Sequence, residues 1–99
     1  MKITIVYDNE IWQSGLEAAW GFSCLVEANG RRLLFDTGGR SAILLQNLET
    51  LNLDPQSISE IFISHDHWDH LGGLADLLRL NRDVRVYLPE SCSRPPEAR

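Results

Sequence analysis

Ile61-Phe62-Ile63-Ser64-His65-Asp66-His67-Trp68-Asp69-His70-Leu71-Gly72-Gly73 runs from an apolar burst of strand type into a cluster of metal-ligand side chains, then into a glycine turn. All three histidines of the 99-residue chain fall within positions 65–70. His65 and His67 stand two apart at the end of an extended run, so both imidazoles can project to one side. Asp69 and His70 follow where the chain turns, offering one oxygen and one nitrogen to a second site nearby. Imidazole with carboxylate suits zinc first, then iron or manganese. Two such ions, about 3.5–4 Å apart, can share and activate a water. The plain alternative is a polar loop whose histidines face solvent. The His-x-His-x-Asp-His spacing, placed directly after a strand, favours metal.

Outward from that stretch, the chain reads as alternating strands and helices. Ile3 to Tyr7 alternates and is rich in β-branched residues, which predicts a strand ended by Asp8-Asn9. Residues 10–20 fit either a lid-like loop or a short helix, with Ile11, Trp12, Leu16, Ala19 and Trp20 as its apolar positions. Phe22 to Ala28 and Arg31 to Asp36 flank Asn29-Gly30, a two-residue hairpin turn. Thr37-Gly38-Gly39 is a tight turn that lets the backbone approach something closely. Ser41 is placed to cap a helix whose apolar stripe is Ile43, Leu44, Leu48 and Leu51, closed at Asp54-Pro55. Ile58 to Ser64 is a buried strand. Leu74, Leu77, Leu78 and Leu80 mark a second helix ending by Asn81, and Val84 to Leu88 a further strand stopped by Pro89. The predicted order is β, β-hairpin, α, β, α, β, an α+β or α/β arrangement with helices on one face of a sheet. The metal motif falls at the C-terminal end of a buried strand, where open α/β sheets place their ligands.

Composition bounds the rest. Apolar residues make up 43% and charged residues 23%, ordinary values for a soluble globular domain. Fourteen acids against nine bases give a net charge of −5, which argues against nucleic acid as a partner. Arg79, Arg82 and Arg85, interrupted by Asp83, read as a solvated helix end and turn. No apolar stretch approaches the roughly 20 residues of a membrane span, and the N-terminus lacks a secretory pattern. Cys24 and Cys92 show no C-x-x-C spacing, as expected of reduced thiols in a cytoplasmic protein. Cys24 reads as a small buried hydrophobe. Residues 1–90 form the expected domain, and 91–99, with Pro95-Pro96 and almost no apolar side chain, an expected disordered tail.

Phe35-Asp36-Thr37-Gly38-Gly39 and the motif from Ser64 to Leu74 together resemble the metallo-β-lactamase superfamily. The resemblance runs from Met1 to about Pro89. It implies the N-terminal half of an αβ/βα sandwich with metals at one edge. It further implies that His65 and His67 bind a first ion and Asp69 and His70 a second, with Asp69 also the catalytic residue. Asp36 would steady the metal loop from behind the ligands, or else serve as a turn residue satisfying its own backbone. Asp66 is expected to face away from the metals, and Trp68 either to pack beside the site or to touch substrate. The opening Lys2-Ile3-Thr4-Ile5-Val6, Asp8-Asn9-Glu10 and Gly21-Phe22-Ser23 are similar to one subgroup. Its members carry names such as metal-dependent hydrolase and ribofuranosylaminobenzene phosphate synthase of the methanopterin pathway.

The implied activity is hydrolysis of a small-molecule ester, phosphoester or amide by a metal-activated water, with one or two zinc ions as cofactor. Two alternatives stand beside it: a non-catalytic metal-binding fragment of a longer enzyme, and a pterin-pathway transferase of the same fold. A zinc site wants about four ligands, and no histidine exists outside 65–70 to supply the family's later ones. Half a sandwich also leaves one sheet face uncovered, an apolar patch larger than soluble monomers tolerate. A truncated or interrupted gene, a second polypeptide, or a homodimer would each account for both deficits.

Overall fold

The computed structural model describes residues 1–64 and 72–89. The motif residues His65, Asp66, His67, Trp68, Asp69 and His70, with Leu71, lie outside the described residues, as does the expected tail.

Five strands form one sheet in sequence order: β1 (Lys2–Tyr7), β2 (Ser23–Ala28), β3 (Arg31–Phe35), β4 (Glu60–Phe62) and β5 (Arg85–Tyr87). β1, β2 and β3 pair antiparallel, whereas β3, β4 and β5 pair parallel. The hairpin turns where both Asn29 (φ 54°) and Gly30 (φ 74°) take the left-handed backbone that a two-residue turn requires. Each parallel step is spanned by a helix: α1 (Ser41–Thr50) between β3 and β4, and α2 (Leu74–Leu80) between β4 and β5. A 3₁₀ turn, Pro55–Ser57, leads into β4.

The register sorts the side chains into two faces. Thr4, Leu25, Leu34, Ile61 and Val86 stand directly opposite one another across the strands and so share the helix-covered face. Leu25, Leu34 and Ile61 are buried there against Leu44 and Leu48 of α1 and Leu74 and Leu77 of α2. Each fully buried Leu or Ile stabilises the fold by about 1.5–3 kcal/mol relative to exposure, so this layer is the core. The opposite face carries the row Ile5, Cys24, Phe35, Phe62, Tyr87 and, below it, Ile3, Val26, Leu33, Glu60, Arg85. Among the described residues no element covers that face. Phe35 is 40% exposed and Tyr87 42%. Phe62 stacks between them, with ring centroids 5.2 Å from Phe35 and 4.6 Å from Tyr87. The uncovered apolar face expected of half a sandwich is therefore present.

Several local expectations need correcting. Ser41 does not cap α1: Arg40 occupies the cap position in extended conformation, and no side chain bonds the helix start. The strand expected over 58–64 is regular over Glu60–Phe62, with Pro55–Ser57 coiling before it, while Ser59 and Ile63 add backbone bonds at its two ends. Helix α1 stops at Thr50, where Asn52 turns left-handed (φ 58°) and Leu53 donates to the Leu48 carbonyl at 2.8 Å. Arg85 lies in β5, within the strand expected over Val84 to Leu88, so the helix-end-and-turn reading of the three arginines does not extend to it. Cys24 is half-buried on the open face rather than in the core.

Residues 10–20 form a loop, not a helix. Its ends are closed by Gly21 N–H donating to Asn9 Oδ1 at 3.1 Å and Ala19 N–H to the Asp8 carbonyl at 3.2 Å. The Trp12 indole donates to the Ile5 carbonyl at 2.8 Å, along the outer edge of β1. The staple is Asn47 of α1, which the apolar stripe passed over. Its Nδ2 donates to the Val6 and Glu17 carbonyls at 2.8 and 2.9 Å, and its Oδ1 accepts from Glu17 N–H at 2.8 Å. Asn47 is only 1% exposed, so the groups it leaves behind when removed are cut off from water. Replacing it with alanine should lower unfolding stability by about 2–3 kcal/mol, read by urea denaturation. A loss under about 0.5 kcal/mol would show that the loop is not held this way.

Candidate metal centre

β1, β3, β4 and β5 run in one direction, so their C-terminal ends, together with the start of β2, share one edge of the sheet. The loop Asp36–Arg40 leaves β3 at that edge, and Ser64, the residue before the motif, leaves β4 beside it. The ladder carries slightly beyond the strands there: Asp36 N–H donates to the Phe62 carbonyl at 2.8 Å and Ile63 N–H to the Tyr87 carbonyl at 3.0 Å.

Asp36 is the joint. It takes a left-handed backbone (φ 59°), a conformation asparagine and aspartate tolerate better than most residues. The turn aims its buried carboxylate across at Ser64 rather than back at its own loop. Oδ1 accepts from the Ser64 backbone N–H and Oδ2 from the Ser64 hydroxyl, each at 2.7 Å. Hydrogen bonds to an ionised carboxylate are short and about twice as strong as neutral ones. The carboxylate thus fixes the backbone immediately ahead of His65. Of the two sequence readings of Asp36, the self-satisfied turn residue does not describe these bonds.

The other flank rests on the same loop. Gly72, which follows Leu71, donates its N–H to the Gly38 carbonyl at 2.8 Å. A Cβ on Gly72 would lie 2.2 Å from the Gly39 carbonyl oxygen, and one on Gly73 would lie 2.5 Å from that of Thr37. Only glycine lets these two backbones touch. Gly38 (φ 67°) faces the Tyr7 ring at a distance no side chain fits, and the Tyr7 hydroxyl accepts from Arg40 N–H at 3.1 Å. Tyr7 is fully buried, so the loop sits on a rigid aromatic floor. The close approach expected of Thr37-Gly38-Gly39 is made on two sides.

His65, His67, Asp69 and His70 themselves lie outside the described residues. Among the described residues no group of three or more histidine, cysteine or carboxylate side chains converges. Asp36 sits near half-buried Cys24; burial first, and the carboxylate second, push the Cys24 thiol up from its ordinary range. Ser64 is the supporting residue that sequence reasoning named without a role; its signal is a hydroxyl residue between an apolar strand and the first histidine. A cavity of about 620 Å³ lies between Gln56–Ser59 and Arg79–Asp83, at the opposite edge of the sheet. It therefore plays no part at the motif. No helix of the described residues is long and apolar enough to cross a membrane.

Comparison with known proteins agrees with this geometry. The family model for the metallo-beta-lactamase superfamily matches residues 21–98. The 7,8-dihydropterin-6-methyl-4-(beta-D-ribofuranosyl)-aminobenzene-5'-phosphate synthase of Methanocaldococcus jannaschii is 38% identical over 85 residues, 82% of this chain and 28% of its own length. Ribonuclease Z of Treponema pallidum is 39% identical over 74 residues, 75% of this chain and 23% of its own. Among solved structures, a metal-dependent hydrolase of the beta-lactamase superfamily superposes with a TM-score of 0.61 at 39% identity, over 73% of this chain and 25% of that one. The short form of human tRNase Z superposes with a TM-score of 0.62 at 28% identity, over 79% and 28%. The chain spans about a quarter of the length of these relatives. The family-model match over residues 21–98, together with a five-stranded mixed sheet backed by helices, places this chain in the metallo-β-lactamase superfamily, as a hydrolase-like domain with the N-terminal half of the family's sandwich.

Proposed function

We propose that this chain is the metal-holding portion of a hydrolase that uses a metal-activated water. His65 and His67 would hold one ion and Asp69 and His70 a second, with zinc the metal that this nitrogen and oxygen donor set suits first. Iron or manganese would suit it next. One observation carries the reading. The residues on either side of the motif, Ser64 and Gly72, are both fastened to the Asp36–Gly39 loop. A support that pins a short segment at both ends limits how far its ligands can wander, which is what a metal site needs from its surroundings.

The chain's own residues divide the work. Asp36 spends its carboxylate on Ser64 and so acts through the backbone ahead of His65 as a positioning residue. Gly38, Gly72 and Gly73 let the two loops meet without a side chain between them. When bound, zinc would make a water acidic enough to attack near neutral pH and stabilise charge developing on the substrate oxygen. Asp69, as ligand and catalytic carboxylate, would hold or orient the attacking water. The substrate class is a small-molecule ester, phosphoester or amide.

Two observations favour other readings. The match spans only about a quarter of the relatives' length, and two donors per ion fall short of the four that hold zinc firmly. That combination suits a metal-binding fragment without turnover of its own. The 38% identity to the pterin-type synthase over 85 residues instead suits a transferase built on the same support.

Metal content after gel filtration tests the proposal. Bound zinc should be lost in His67→Ala, and Asp36→Ala should weaken metal affinity about 10–100-fold without abolishing it. Two ions per chain with chelator-sensitive turnover would favour the enzyme, and one weakly held ion without turnover the fragment. Full metal content in His67→Ala would overturn the assignment.

A further inference from the structure

We propose that the cleft at the sheet edge away from the motif is a second binding site, for a phosphomonoester whose organic part bears hydroxyl groups. The reading is independent of the metal assignment. It stands on a fixed cleft, on guanidinium groups left unpaired in its wall, and on distance from the motif.

The cleft, about 620 Å³, lies between Gln56–Ser59 and Arg79–Asp83, within the ordinary size range of small-molecule sites. Asn81 ties its two walls together. Its Nδ2 donates to the Pro55 carbonyl at 3.0 Å and the Ile58 carbonyl at 2.8 Å, and its backbone N–H to the Leu77 carbonyl at 2.8 Å. Asn81 is buried, so these bonds are largely shielded from competing water. Asp54 holds the first wall further, its Oδ1 accepting from Gln56 N–H at 2.9 Å. Walls that are already fixed lose little freedom when a ligand enters.

The charges in the lining are unequal. Arg79 and Arg82 stand there with a single carboxylate, Asp83, in a chain whose net charge is −5. Arg79 spends one N–H on Asp76, at 3.1 Å, and keeps the rest of its fork. Among the described residues the Arg82 side chain has no ion pair or hydrogen bond, whereas Arg31 and Arg32, along the same edge, are paired with Glu60 and Glu27. The Ser59 hydroxyl and the Gln56 amide likewise donate to no described residue. Guanidinium forks match phosphate oxygens bidentately and stay charged at any working pH. The organic part gives Asp83 its role: a carboxylate repels a bare anion but accepts from a ligand hydroxyl.

Position separates this site from the chemistry. β4 runs from the cleft towards the motif, and Ser59 to Ser64 spans about 16 Å at ordinary strand rise. The cleft therefore holds a group other than the one that reacts.

Backbone amide NMR titrations test the proposal, on chelator-treated chain so that no metal at the motif takes up phosphate. Glucose 6-phosphate should give saturable shifts confined to Gln56–Ser59 and Arg79–Asp83. Inorganic phosphate should bind more weakly at the same residues, and glucose not at all. Arg82 is exposed, so Arg82→Gln should keep the parent spectrum elsewhere while weakening both phosphates about ten-fold or more. Asp83→Ala should bind inorganic phosphate at least as tightly as the parent and lose the preference for the sugar ester. No saturable shift with either phosphate up to tens of millimolar would overturn the inference, as would unchanged affinity in Arg82→Gln. Inorganic phosphate binding the parent chain as tightly as glucose 6-phosphate would overturn the assignment of a hydroxylated ester.

Discussion

The carboxylate of Asp36 bonded to both the backbone and the hydroxyl of Ser64 is the contact on which this architecture turns. It joins the ends of two adjacent parallel strands, β3 and β4, at the point where the chain leaves the sheet. Its position follows from a chain of local causes. The hairpin at Asn29-Gly30 fixes β3 against β2, and α1 returns the chain to lay β4 on the far side of β3. The left-handed turn at Asp36 then aims the side chain across that seam. A glutamate would be one carbon too long, and an apolar residue would leave the Ser64 N–H without this acceptor.

Around that joint, the glycines act by absence. Gly38 lies on Tyr7, and Gly72 and Gly73 lie on the Thr37–Gly39 backbone, at separations that exclude a Cβ. The result is a small platform with Tyr7 beneath and the motif's flanking residues above. Building such a platform on strand ends rather than on a free loop gives a site positional precision. The platform belongs to the helix-backed half of the fold, whereas the other face of the same sheet is open and aromatic. One layer thus carries both the loop that fastens Ser64 and Gly72 and an open aromatic face.

Much of this was legible in the residues. The β-branched alternation of β1, the Asn29-Gly30 turn and the leucine spacing of both helices each follow from a period or a steric rule, and the sheet reproduces them. The expectation of an uncovered face also follows from counting layers. What the sequence hid was polar and long-range. Nothing in the local pattern of α1 marks Asn47 as the staple for a loop 30 residues earlier, because its partners are backbone groups that any sequence carries. Ser41 looked like a cap by composition, but the chain enters α1 one residue sooner in extended form, and Arg40 takes that place. Asp36 was visible as a motif residue. Its reach to Ser64 was not, since 28 residues separate them and only the parallel pairing of β3 with β4 brings them together.

The most direct test is a double-mutant cycle on that pair. Unfolding free energies would be compared for the parent chain, Asp36→Asn, Ser64→Ala and the double variant. Residues sharing a charged hydrogen bond should show a coupling of about 1 kcal/mol or more, with the double variant losing less than the two single losses combined. Additive losses would mean that the Asp36 carboxylate and the Ser64 hydroxyl act independently, against an account in which their bond joins the two strand ends.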